Sequence, residues 1–319
     1  MNKHERTDIP LQNKTDLIRK EVKKVIQGKD DVIRLTLCAI LAGGHVLLED
    51  IPGVGKTTLA MSIAKALSLS YKRMQFTPDV LPSDLIGYNL YDKSTNSFHF
   101  QEGSVYTNLF LADEINRTSP KTQSALLEVM EEGQATVEGV TRALPKPFFV
   151  IATENPFGSS GTQRLPESQL DRFMICLSIG YPDSENAVSI LKGNSSANMD
   201  QVEQVVNAEE LLEMQHQAEK LFVDESLYDY IVELTETTRN PEFFALGLSP
   251  RGSIALLKMS KAHAYMSGRD FLLPEDIHDV FYCVASHRVK LSAKSKASGR
   301  SVEEALSNVL KQVAIPKIS

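Results

Sequence analysis

Hydrophobic and polar positions change their rhythm once along this chain, near residue 181. Before that point, short apolar runs alternate with stretches of helical spacing. Val46-Leu47-Leu48, Asn108 to Ala112 and Phe148 to Thr153 are apolar without alternation, the pattern of strands buried on both faces of a parallel sheet. Tyr71 to Phe76 alternates like a strand, and Met174 to Ile179 adds another. Between them the spacing predicts helices over Thr15 to Ile26, Val32 to Ala42 with Asp30 or Asp31 as cap, and Leu59 to Leu67. A further helix runs from Ser119-Pro120 to Glu132, with Pro120 at the permitted first turn, and a short one covers Pro166 to Phe173. Two hairpin signals interrupt this alternation. One lies within Leu85 to Phe100, the other within Gln134 to Lys146 around Gly139. Residues 1–13 read as a loose polar leader.

From Pro182 onward the pattern is helical alone: Ala208 to Phe222, Ser226 to Thr238, Arg251 to Met266, Pro274 to Ser286 and Val302 to Val313, with a loop at Ser195 to Asn198. The expected fold is therefore α/β, a doubly wound parallel sheet over residues 1–181, followed by an all-α lid over residues 182–319.

The junction between the first strand and its helix carries the strongest chemistry. Asp50-Ile51-Pro52-Gly53-Val54-Gly55-Lys56-Thr57-Thr58 joins an apolar run to a helical one. Strand, glycine-containing loop and helix form the context of a phosphate-binding loop. Gly53 and Gly55 let successive N–H groups turn inward toward an anion, and the helix N-terminus adds its positive end. Lys56 would reach the β- and γ-phosphates, and the Thr57 hydroxyl would hold Mg²⁺. Pro52, Val54 and Thr58 complete the loop. The pattern departs from the strict motif at Asp50, where its first glycine belongs; Asp tolerates turn conformations, so nucleotide binding is still expected.

Three further features follow the strands. Asp113 and Glu114 end a buried strand. The first could hold Mg²⁺ through water, and the second could take a proton from an attacking water. Asn155, just past the next buried strand, could orient that water; an Asn-Pro turn is the plainer alternative. Arg172 and Arg251 have apolar neighbours, and a planar guanidinium suits phosphate; a structural ion pair is their plainer role.

The order of Gly53-Val54-Gly55-Lys56-Thr57, Ala112-Asp113-Glu114-Ile115-Asn116-Arg117, Ala152-Thr153-Glu154-Asn155-Pro156, Leu165-Pro166-Glu167-Ser168-Gln169-Leu170-Asp171-Arg172-Phe173 and Ser249-Pro250-Arg251-Gly252 resembles the AAA+ ATPases of the MoxR family. The resemblance spans about Ile26 to about Leu291. It implies an ATP- and Mg²⁺-dependent ATPase that forms a hexameric ring and remodels protein clients, among them metalloenzymes or proteins with von Willebrand factor A domains. It assigns Lys56 and Thr57 to the Walker A pair, Asp113 and Glu114 to the Walker B pair, and Asn155 to sensor one. Arg172 becomes an arginine finger reaching a neighbouring subunit's site, Arg251 becomes sensor two on the lid, and Gln27 and Gly28 fall on the adenine-facing loop. The two hairpins match the family's insert in the second helix and its hairpin before sensor one.

Composition narrows the alternatives. The net charge of −7 offers no global attraction to nucleic acid. A nucleic-acid motor would need a basic insert hairpin, yet Lys93 there is balanced by Asp92. The basic run of Arg288, Lys290, Lys294, Lys296 and Arg300 reads as a solvated face. A nucleotide-regulated scaffold with little turnover is the other alternative, and an intact Glu114 argues against it. No apolar stretch is long enough to span a bilayer, so direct membrane insertion is not expected. Cys38, Cys176 and Cys283 lie far apart in apolar runs and read as buried free thiols of a cytoplasmic protein.

Overall fold

The computed structural model describes residues 10–155, 165–191 and 199–317. Helices α1 (Leu11–Lys23) and α2 (Asp30–Leu41) lead into strand β1 (Val46–Glu49). Helix α3 (Lys56–Ala66), strand β2 (Tyr71–Gln75) and the single turn α4 (Pro82–Ile86) come next. Hairpin β3 (Tyr88–Asp92) and β4 (Ser97–Gln101) precedes β5 (Leu109–Asp113) and α5 (Pro120–Glu132). Hairpin β6 (Gln134–Val137) and β7 (Val140–Ala143) is followed by β8 (Phe149–Glu154), α6 (Glu167–Leu170) and β9 (Ile175–Leu177). The rest comprises α7 (Ser184–Leu191), α8 (Ala208–Glu219), α9 (Glu225–Thr237), β10 (Phe244–Leu246), α10 (Pro250–Met266), α11 (Pro274–Ala285), β11 (Lys290–Leu291), α12 (Ala293–Ala297) and α13 (Val302–Gln312).

The main sheet has the order β2-β5-β8-β1-β9, and all its pairings are parallel. Its apolar runs behave as their lack of alternation requires. Every residue of β5 and β8 is buried, because helices cover both faces. Alternate residues divide between two apolar layers. Val46, Leu48, Leu109 and Ile151 face a layer shared with α1, α2, α3 and the lid helices; Leu47, Phe110, Val150 and Ala152 face the layer under α5. β2 is an edge strand, and its exposed Lys72, Arg73 and Gln75 suit an edge that must not recruit further strands.

Sheet register brings distant residues together. Gln75 is opposite Asp113, and Glu49 is opposite Glu154. The residues that follow β5, β8 and β1 in the chain are Glu114, Asn155 and Asp50, so they share the C-terminal edge of the sheet. Open α/β sheets bind ligands at this edge.

Several expectations need correction. Of the leader expected over residues 1–13, residues 11–13 belong to α1, which begins at Leu11, and residues 1–9 lie outside the described residues. That helix also reaches the lid, through Lys14 to Glu210 at 2.6 Å and Gln12 to the carbonyl of Arg269 at 3.0 Å. Asp30 and Asp31 lie inside the first turn of α2, whose cap position is Lys29. The lid is helical but not purely so. Strands β10 and β11 pair antiparallel, two segments too short for a period-2 pattern to show. The loop expected at Ser195 to Asn198 lies outside the described residues.

Arg288 is the largest correction. Read as part of a solvated basic face, it is 5% exposed. Its Nε donates to Asp171 Oδ1 at 2.8 Å, and its terminal nitrogens donate to the carbonyls of Phe173, Met174 and Val284. It thus ties the start of β9 to the end of α11. A buried guanidinium persists only when paired and hydrogen-bonded in this way.

Candidate nucleotide site

The loop between β1 and α3 is built by its glycines. Gly53 and Gly55 have φ of +86° and +99°, which a side chain would resist. Gly55 is the residue before α3, so the unpaired N–H groups of the first helical turn open toward the loop. Lys56 is buried and donates to the carbonyls of Asp50 at 2.8 Å and Ile51 at 3.3 Å. Burial pushes its pKa down, against the opposing pull of Asp50, Asp113 and Glu114.

Asp50 is where the chain departs from the usual motif, and the fold gives the reason. Its buried carboxylate accepts from Ser178 Oγ at 2.9 Å and from the backbone N–H groups of Ile179 and Gly180, at 2.5 and 3.0 Å. It pins the end of β9 to the start of the phosphate loop. Glycine could not do this.

A cavity of about 390 Å³ lies over the loop, lined by Pro52, Gly53, Gly55, Lys56, Thr57, Thr58, Arg73, Gln75, Asp113 and Glu114. A second, of about 220 Å³, is lined by Val25, Ile26, Gln27, Val54, Pro182 and Asn186 and shares Gly53, Gly55 and Thr58 with the first. The first is lined by the charged side chains of Lys56, Arg73, Asp113 and Glu114; the second presents Val25, Ile26 and Val54. Phosphates and a base would fit this pair in that order. Gly28 has φ +68°, and a Cβ there would meet the Asn186 side chain at 2.2 Å. Its role is therefore close approach to α7.

The acids line the same cavity as Lys56. Asp113 accepts from Thr153 Oγ1 at 2.6 Å through one oxygen and from Arg73 at 2.7 Å through the other. Thr57 and Asp113 line the same cavity and could hold a divalent cation between them. Glu114 has φ +58°, uncommon for a residue with a side chain, and its N–H donates to Thr153 Oγ1 at 2.8 Å. Its carboxylate receives Gln75 Nε2 at 2.8 Å and Arg117 at 2.6 Å. Arg73, Gln75 and Thr153 escaped sequence reasoning. Arg73 and Gln75 alternate on an edge strand whose pairing with β5 only the fold reveals. Asn155 follows β8 directly, between the ends of β5 and β1, and its carbonyl accepts from Asn116 at 3.4 Å.

Arg172 and Arg251 lie elsewhere. Neither lines the cavities over the loop. Both converge on Glu131, at the last turn of α5: Arg172 Nε is 3.4 Å from one carboxylate oxygen, and Arg251 contacts the other. They line a separate cavity of about 250 Å³ with His45, Asp171, Lys258 and Arg288. The sequence-named residues thus form two groups, one around Lys56 and one around Glu131.

The comparisons agree with this architecture. The model of the ATPase family associated with various cellular activities (AAA) matches residues 45–175, and that of the AAA lid domain matches residues 236–309. The chain is 44% identical over 296 residues to the uncharacterized protein YeaC of Bacillus subtilis (strain 168), covering 92% of each chain. It is 38% identical to chaperone MoxR1 of Mycobacterium tuberculosis, over 94% of this chain and 81% of the relative. A crystal structure of a protein from Cytophaga hutchinsonii assigned as an ATPase superimposes with a TM-score of 0.89 at 39% identity, covering 96% of each chain. With Lys56, Thr57, Asp113 and Glu114 around one cavity and relatives this similar over most of its length, the chain belongs to the MoxR family of AAA+ ATPases.

Proposed function

We propose that this ATPase hydrolyses ATP with Mg²⁺ in a ring whose sites are completed across subunit interfaces, and uses the energy to remodel protein clients. The observation that carries this reading is the separation of the two groups. Lys56, Thr57, Asp113 and Glu114 share one cavity, while Arg172 and Arg251 share another. Arginines that pair with Glu131 and line no cavity over their own loop suit a role at a neighbour's site.

The roles follow from position. The loop from Pro52 to Thr58 cradles the phosphates, and Lys56 leaves its carbonyl partners to meet them. Val54 and Gln27 border the base, and Gly28 lets α7 close over that side. Thr57 and Asp113 hold Mg²⁺, which supplies charge neutralisation at the phosphate oxygens. Glu114, held by Gln75 and Arg117, takes the proton of the attacking water. Asn155 orients that water from the end of β8. Arg172 and Arg251 of the adjoining subunit stabilise the charge that builds on the transferred phosphoryl group.

By the resemblance, the clients are metalloenzymes or proteins with von Willebrand factor A domains. No helix among the described residues is long and apolar enough to cross a membrane. The three unpaired cysteines suit a reducing, cytoplasmic setting. A nucleic-acid motor loses support, because the buried Arg288 withdraws from the basic run that favoured it.

Mixing tests the reading. Lys56→Ala subunits have intact arginines but no working site; Arg172→Ala subunits have the reverse. Each alone should hydrolyse ATP slowly. The mixture should recover turnover well above the sum, and a mixture that stays at the sum would overturn shared sites.

A further inference from the structure

We infer that Glu131 is a positioning residue for Arg172 and Arg251, holding both guanidinium groups in the pose in which they meet an anion supplied from outside the subunit. The inference rests on the proposed sharing of sites and adds to it a residue that neither motif nor resemblance singles out.

Three observations carry it. First, Glu131 is in an electrostatically unfavourable place. It lies beside Glu132 in the last turn of α5, where the helix presents its negative end and no basic residue of the helix compensates. The lid's Arg251 and the core's Arg172 supply that compensation from two separate elements. Second, the grip leaves the useful atoms free. Glu131 lies 3.4 Å from Arg172 Nε, an ion-pair contact without a hydrogen bond, and no hydrogen bond from Arg172's two terminal nitrogens is seen among the described residues. Those two nitrogens form the fork that pairs with an oxyanion end-on. Arg251 is held at one terminal nitrogen, which leaves its other donors available. Third, the surroundings stay positive after internal pairing. Arg288 is spent on Asp171. Arg172, Arg251 and Lys258 then face Glu131 alone across the same cavity of about 250 Å³.

A carboxylate that is 38% exposed holds weakly, since solvent screens such a pair. The contribution of Glu131 is therefore to geometry. Without it, two long side chains regain their rotamers and repel one another.

The test compares Glu131→Gln, which keeps shape and removes charge, with Glu131→Asp, Arg172→Ala, Arg251→Ala and the double variant Glu131→Gln/Arg172→Ala. Turnover is measured at protein concentrations where assembly is saturated. Affinity for a fluorescent ATP analogue and thermal stability are measured on dilute subunits. The expected result is a loss in kcat of roughly ten- to a hundredfold in Glu131→Gln, with analogue affinity and melting temperature unchanged. Glu131→Asp should recover part of the loss, and Glu131→Gln should slow Arg172→Ala by less than it slows the wild type, because only Arg251 is then left to lose its hold. Full kcat in Glu131→Gln, with both arginine variants slow, would overturn the inference and leave shared sites standing. Full kcat in the arginine variants as well would bring down the reading beneath it. A loss in kcat matched by equal losses in analogue affinity or stability would make Glu131 a structural residue and overturn the inference too.

Discussion

The carboxylate of Asp50 accepts the backbone N–H of Gly180 at 3.0 Å, across 130 residues of chain. With Ser178 Oγ and the Ile179 N–H on the same side chain, it welds the phosphate loop to the far end of β9. Gly180 has φ +65°, so the turn that follows β9 depends on an outside anchor. Replacing Asp50 with alanine leaves three donors without their acceptor, with the two N–H groups in a largely buried setting. The expected cost is about 3 kcal/mol, since each unmet buried group costs roughly 1–3 kcal/mol. Denaturant unfolding of Asp50→Ala checks this. Asp50→Gly, which restores the common motif, should be no better.

Glu114 is expected to act in chemistry and not in binding. Glu114→Gln keeps the contact with Gln75 possible and removes the base. Turnover should fall by at least about a hundredfold, the usual scale of a general base, while equilibrium ATP binding stays within a fewfold of the wild type. Gln75→Ala should lower turnover by less, because Arg117 still holds the carboxylate. Single-turnover hydrolysis beside a binding titration separates the two effects.

Arg288 should be irreplaceable by lysine. One ammonium cannot serve Asp171 and the carbonyls of Phe173, Met174 and Val284 together. Arg288→Ala is expected to cost roughly 3–5 kcal/mol, as for other broken buried pairs. Arg288→Lys should fall between it and the wild type. Thermal unfolding monitored by circular dichroism is the check.

His45 gives the fold a dependence on pH. Its ring accepts the Val150 N–H at Nδ1 and meets the Met130 carbonyl at Nε2, which requires the neutral form with the proton on Nε2. Burial drives its pKa down to about 4. The folded value lies below the unfolded one, so the unfolded chain binds the proton first as pH falls. Stability is complete above about pH 6.5 and declines between there and pH 4. At pH 5 the loss is about 2 kcal/mol from this residue. Unfolding free energies of the wild type and His45→Gln at pH 7 and pH 5 should show a smaller drop in the variant.

Much of this fold was readable because its strands are buried on both faces. Runs such as Leu109–Asp113 and Phe149–Glu154 cannot be amphipathic helices and leave few alternatives. The phosphate loop and the acid pair were readable because their chemistry is local: the residues that form them are neighbours in sequence. Arg73 and Gln75 were not, since they reach the site only through the pairing of β2 with β5. Asp50 could be seen as a departure, but its partners lie 128 to 130 residues away. Arg288 was misread for the same reason, because nothing in a basic run reveals which member turns inward. The convergence of Arg172 and Arg251 on Glu131 joins three elements distant in sequence.

The central claim is that hydrolysis needs arginines from a second subunit. ATP turnover per subunit, measured against protein concentration with Mg²⁺ and with particle mass determined on the same samples, tests it most directly. Turnover should rise with the assembled fraction, and Arg172→Ala should stay low, by roughly a thousandfold, even where mass shows full assembly. Constant turnover in a protein that stays a monomer, or full turnover in assembled Arg172→Ala, would contradict the account.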